Sequence, residues 1–404
     1  METPDKSVQL KVFVDKKKKK VMLAEADGDF IDILSSFFTL PLGTIARLSE
    51  KHATSKEIKV GSLTSLYESV ANLNENHFSY GPDKDLLVNP TNPSASFCQK
   101  LKVNLDEKNP ITPSATGSQG DVVRFNLSSF IITDDLNVVP ATLDTSISLI
   151  NSLGVENINL LEKRIMHFGL EEFSDLLKWS LLTNNPLTNL VFGGGMPCSS
   201  CATNSILRNS DLISSNSDKT MTLKSLVQKS NKKLICAQVE NPFVELLFSF
   251  LTIPLGAAIH LIKDDSSPSG ITNLYNSVSL LGDGKYLNSE NVKTMLLCPK
   301  VSDDFLRVTD LLPVYEVNKR AGHFLKEKVQ FIVFNDLEVI GSPSIATFSK
   351  FNTLGVPVGD LEVLEVSFGE QEALLLLKAS LTSTSALTDF LNVSRKKPKV
   401  EPST

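Results

Sequence analysis

Apolar positions along this chain follow two different periods. Near the start, LKVFVD from Leu10 and VMLAEA from Val21 are short runs rich in β-branched and apolar residues, separated by a lysine tract. That pattern predicts two strands joined by a solvated hairpin turn. From Phe30 the spacing changes: in FIDILSSFFTL apolar residues recur three and four apart, which predicts a helix. Pro41, reinforced by Gly43, then breaks or kinks it before a second short helix. Further on, FIITDDLNVV from Phe130 reads as strand, Asp134-Asp135 turn, strand. A helix, a short strand near Ile165 and the helix EEFSDLLKWSLL complete the pattern.

The whole pattern then occurs again. LKVFVDKKKKKVMLAEADGDFIDILSSFFTLPLG, Leu10 to Gly43, aligns without a gap to LKSLVQKSNKKLICAQVENPFVELLFSFLTIPLG, Leu223 to Gly256, with roughly 15 of about 34 positions identical. GSLTSLYESV from Gly61 matches GITNLYNSV from Gly270, and Cys98-Gln99-Lys100 matches Cys298-Pro299-Lys300. A second unit repeats too: FIITDDLNVV matches FIVFNDLEVI, Leu153-Gly154-Val155 matches Leu354-Gly355-Val356, and FGLEEFSDLLKWSL matches FGEQEALLLLKASL. The expected fold class is α+β, an internally duplicated A-B-A-B arrangement of β-hairpin plus helix units related by a pseudo-twofold. The first copy spans 8–195, with unit A at 8–104 and unit B at 125–192. The second spans 221–392, with unit A at 221–300 and unit B at 328–392. Between them, 196–220 is rich in Gly, Ser and Asn and reads as linker. Residues 393–404 form a basic tail expected to be disordered.

The residues that carry the duplication also carry a family likeness. The lysine-rich hairpin followed by AEADGDFIDIL and TLPLGTIARL, with TDDLNVVP and the FG…LLKASL helix later, resembles the plant-expanded family called domain of unknown function 674. The likeness covers nearly the whole chain and leaves out the segment MPCSSC. It implies an intracellular plant protein of this fold and brings no catalytic residues with it.

Composition narrows the classes. A chain of 404 residues exceeds the usual span of one hydrophobic core. Apolar residues are 41%, charged residues 21% and mean hydropathy is +0.01, which are globular values. Net charge of −6 and a pI near 5.5 argue against phosphate backbones as partners, so no nucleic acid is expected. METPDKSVQL lacks the apolar centre of a secretory signal, and a cytoplasmic protein is expected. The five cysteines are an odd number, which fits reduced thiols. Asn126-Leu127-Ser128 and Asn392-Val393-Ser394 are then sequons in name only.

Candidate chemistry is sparse. Cys198-Ser199-Ser200-Cys201 has the spacing of a shared metal or a redox pair, but no second such pair or close histidine pair completes a four-ligand site. Linker cysteines are the preferred reading, with Cys198 and Cys201 kept as the metal candidates. Cys98 and Cys298 read as buried small apolar thiols. Lys16 to Lys20, thinned in the second copy to Lys229, Lys232 and Lys233, suit a hairpin turn better than an anion site. Arg395, Lys396, Lys397 and Lys399 resemble a nuclear-import cluster. FVELLFSFLTIPLGAAIHLI from Phe243 approaches the length of a membrane span, yet its central Pro-Leu-Gly and the polar residues of its twin argue for two kinked, buried helices, so no transmembrane segment is expected. No histidine recurs between the copies. Asp32 pairs with Glu245, Asp135 with Asp336 and Glu172 with Glu372, and capping, turn chemistry and the helix dipole account for them. The expected function is a non-catalytic protein-interaction or scaffold module with a protein partner and no cofactor. Two alternatives stay open: an enzyme with a site between the copies, using Asp135 and Asp336, and a thiol redox or metal protein centred on Cys198 and Cys201.

Overall fold

A computed structural model describes residues 8–51, 59–94, 129–155, 160–193, 220–262, 269–281, 286–287, 290–302, 311–312, 314, 323–326, 329–341, 349–351 and 353–395. Strands β1 (Val8–Asp15), β2 (Lys20–Ala26), β3 (Phe130–Thr133), β4 (Val138–Pro140) and β5 (Glu162–Phe168) form one antiparallel sheet in the order β4-β3-β2-β1-β5. Its twin is built from β6 (Met221–Gln228), β7 (Leu234–Glu240), β8 (Gln330–Phe334), β9 (Val339–Gly341) and β10 (Leu361–Phe368), in the order β10-β6-β7-β8-β9. Each copy therefore supplies one complete five-stranded sheet, and the protein is a duplicated α+β fold.

Local chemistry explains the repeated details. In the first hairpin Asp15 Oδ1 accepts the N–H groups of Lys17 and Lys18 at 2.9 and 3.1 Å, and Lys19 takes a left-handed conformation. The lysine tract is a turn, as its pattern predicts. Both hairpins carry a bulge at the same place, between Phe13 and Val14 and between Leu226 and Val227. On β1, Leu10, Val12 and Val14 alternate into the core, fully buried. Edge-to-face rings tie each sheet to its first helix: Phe30 meets Phe168 at 4.9 Å and, in the second copy, Phe243 meets Phe368 at 5.0 Å.

The helices of the first copy are α1 (Gly28–Ser36), α2 (Leu42–Lys51), α3 (Leu63–Asn72), α4 (Gly81–Val88), α5 (Leu143–Ser152), α6 (Leu170–Leu182) and α7 (Pro186–Phe192). The second contributes α8 (Asn241–Phe250), α9 (Leu255–Ile262), α10 (Gly270–Leu280), α11 (Glu290–Leu297), α12 (Glu370–Thr382) and α13 (Ala386–Arg395). The apolar run from Phe243 is thus two helices, α8 and α9, and no helix among the described residues is long and apolar enough to cross a membrane. Helix α13 continues to Arg395, so the segment expected as tail from residue 393 begins as helix.

Where the copies meet, the two TLPLG-type segments lie antiparallel, Pro41 opposite Pro254. Leu42 N–H donates to Ile253 O at 2.9 Å, Leu255 N–H to Leu40 O at 2.9 Å and Gly43 N–H to Leu251 O at 2.7 Å. Beyond this seam the two copies exchange helices. Helix α3 of the first copy packs against the second sheet, where Ser69 Oγ accepts the N–H of Val339 on β9 at 2.9 Å. Helix α10 does the reciprocal thing, Ser277 Oγ accepting the N–H of Val138 on β4 at 2.9 Å. Phe78 pairs with Leu325, and the two copies share one continuous hydrophobic core. Strands β5 and β10 lie at the outer edges of their sheets, with no further strand pairing them among the described residues.

Candidate functional site

The turns that join β3 to β4 and β8 to β9 hold the carboxylates that recur in sequence. In the first, Leu136 N–H closes on Thr133 O and Leu136 sits fully buried at φ 61°. Leu337 does the same in the second at φ 62°. A branched side chain in the left-handed region costs on the order of 1–3 kcal/mol, which burial of the leucine offsets. Asp135 accepts from Asn137 Nδ2 at 2.9 Å and Thr133 Oγ1, and Asn273 of α10 donates to its carbonyl at 2.9 Å and to its carboxylate at 3.3 Å. Asp336 Oδ1 accepts the N–H of Glu338 at 3.3 Å. Each of the two is engaged in its own turn, on a different sheet.

Their neighbours, Asp134 and Asn335, are the sharper pair. Asp134 is buried and accepts from Thr188 N–H and Thr188 Oγ1, both at 2.7 Å, at the start of α7. Lys20 Nζ stands 4.0 Å from Oδ2, the oxygen that also accepts from the Thr188 hydroxyl. Burial pushes the Asp134 carboxyl up to about 6 against the lowering effect of those bonds. Asn335 Oδ1 accepts the N–H of Thr388 at 2.9 Å at the start of α13. The same anchoring is achieved with and without a charge, so Asp134 works as a cap.

A buried acid that sequence reasoning assigned to capping proves different. Glu245 is fully buried, part-way along α8, and accepts from Leu325 N–H at 3.2 Å and His323 Nδ1 at 2.9 Å. Burial raises its pKa above the usual carboxylate range, opposed by the His323 bond. It faces inward rather than toward the helix N-terminus, and it ties the 323–326 segment to the body beside Phe78. Its partner His323 is half-exposed. The sequence signal was present in the acidic pair Asp32 and Glu245, but a histidine far along the chain has no repeat to flag it.

One cleft, of about 320 Å³, opens at the turn end of the second sheet. Leu234, Phe334, Leu354 and Val356 give it an apolar floor, and Lys233, Asn335, Asp336, Lys350, Thr384 and Ser385 line it with polar groups. Lys350 lies 4.0 Å above the Phe334 ring and pairs with Glu338. Desolvation lowers the Lys350 pKa.

Comparison with known proteins gives the family. A family profile described as "Protein of unknown function (DUF674)" matches residues 4–113, 112–319 and 309–403. The chain belongs to this family. No curated protein and no solved structure matches it. In this DUF674 protein, the motifs that carried the resemblance are packing devices: TLPLG forms the seam between copies and DDL forms the strained turn with its buried leucine.

The thiols are arranged otherwise than the pattern suggested. Cys298, expected buried, is exposed, because it follows the last turn of α11 with its N–H on Thr294 O. Among the described residues Cys236 on β7 is the buried thiol, packed with Ile332 and Phe334, and desolvation pushes it up to about 12, which disfavours the thiolate. Cys98, Cys198, Cys201, Lys396, Lys397 and Lys399 lie outside the described residues, and the side chain of Arg395 is not described. Among the described residues no three His, Cys, Asp or Glu side chains cluster as a metal site.

Proposed function

We propose that this DUF674 protein is a non-catalytic protein-interaction module that works inside the plant cell, in the cytoplasm, and takes extended segments of a protein partner at its sheet edges. One observation carries the reading. Strands β5 and β10, of 7 and 8 residues, offer unpaired outer edges among the described residues, with Ile165 54% and Val363 66% exposed on them. Native edges are usually blunted by charge, proline or cover; Lys163 and Glu365 put one charge on each exposed face beside these side chains, and an edge of this length that still exposes an apolar residue is a template for strand addition. The pseudo-twofold presents two such edges on one body, which suits a scaffold. The basic cluster ending in Lys399 gives the same module a route to the nucleus.

The test is affinity capture from plant tissue with the wild type and with Ile165→Lys plus Val363→Lys. A protein partner should be captured, its binding should fall at least about tenfold in the variant, and amide exchange in β5 or β10 should slow in the complex. A partner indifferent to both substitutions, or a small molecule retained in place of any protein, would sink the proposal.

A further inference from the structure

The two halves differ in charge at one equivalent place, and the difference falls on the cleft. In the first half Lys20 meets the Asp134 carboxylate at 4.0 Å. In the second, Lys233 stands at the position of Lys20 and Asn335 at that of Asp134. The cation has been kept and its counter-charge removed. Lys350 and Glu338, which replace Leu149 and Asn137 of the first half, arrive as an ion pair and cancel. Nearby Lys59 is held by Glu68 at 3.3 Å. Lys233 makes no ion pair among the described residues. Asn335 spends its oxygen on the Thr388 N–H, so its amide hydrogens remain for another acceptor.

We infer that the cleft at the turn end of the second sheet binds a small organic carboxylate, its head group between Lys233 and the Asn335 amide and its apolar body on Leu234, Leu354 and Val356. The volume, about 320 Å³, is at the low end of the range for small-molecule sites. Charge-assisted bonds to a carboxylate are the strong ones, and a lysine that has lost its internal carboxylate is a ready donor. The acid at Asp336 disfavours multiply charged ligands, which selects a monoanion over a phosphate. In the first half the equivalent lysine, Lys20, is met internally by Asp134. This inference is independent of the edge-strand reading, since it rests on the cleft alone.

The experiment uses the full chain and 8-anilinonaphthalene-1-sulfonate as fluorescent probe, displaced by octanoate or by octanol. Octanoate should displace the probe from the wild type and octanol should not. Asn335→Asp rebuilds the arrangement of the first half, where an aspartate caps the following helix, so the fold should persist, with a melting temperature lowered modestly at pH 7 and near that of the wild type at pH 4, while octanoate affinity at pH 7 falls at least about tenfold. Lys233→Gln, at an exposed position, should weaken octanoate severalfold. Equal displacement by octanol, unchanged affinity in both variants, or no displacement at millimolar octanoate would each overturn the inference.

Discussion

Asp134 and Asn335 do the same structural work with different charge, and that makes a pH prediction specific. The folded Asp134 carboxyl titrates near 6, above the value of about 4 for an unfolded chain. Between those values the folded state holds the proton and the unfolded state does not, so this group's contribution is most favourable below pH 4 and is lost as pH rises to 6. Asp134→Asn should therefore stabilise the protein at pH 7, by on the order of 1–3 kcal/mol, and have little effect at pH 4. Urea unfolding at both pH values checks this; an equal effect at both would contradict it. Ser225 supplies a second test. It is fully buried on β6, its hydroxyl has no partner among the described residues, and Val12 holds the same place in the first copy. Ser225→Val should stabilise by about 1 kcal/mol, read from the same denaturation curves.

At the scale of elements, the seam depends on two glycines. A Cβ on Gly256 would stand 2.4 Å from Leu296 O, a backbone atom that cannot swing away, whereas one on Gly43 would meet Leu251 O at 3.0 Å. Gly256→Ala should cost about 1–3 kcal/mol and Gly43→Ala less, with thermal melts giving the order. The sequence pattern marked both glycines as helix breakers. It was silent on close approach, because that requires knowing that a second helix arrives there. Strand, turn and helix positions were legible in Leu10, Val12 and Val14, in the Asp134-Asp135 turn and in the three-and-four spacing from Phe30. Glu245 was misread because its sequence neighbours resemble a helix start, while its partners are about eighty residues away. The cleft was equally hidden, since Lys233, Asn335 and Lys350 are brought together only by the sheet and its loops.

For the whole molecule, the exchange of α3 and α10 across the seam predicts cooperativity. The intact chain should unfold in one transition, with calorimetric and van't Hoff enthalpies in agreement. Residues 1–195 and 220–404 made separately should lack defined near-ultraviolet circular dichroism and recover it on mixing; two independent transitions would oppose this. The sequence by itself determined the duplication, the α+β class, the hairpins and the helix breaks, because these depend on spacings of two to four residues and on local turn chemistry. It could not determine which sheet each exchanged helix covers. The two copies present nearly the same apolar faces, so packing α3 on its own sheet or on the other satisfies the same pattern. Only the tertiary structure decided between them, through the pairing of Pro41 with Pro254 and the bonds from Ser69 and Ser277 to the opposite strands.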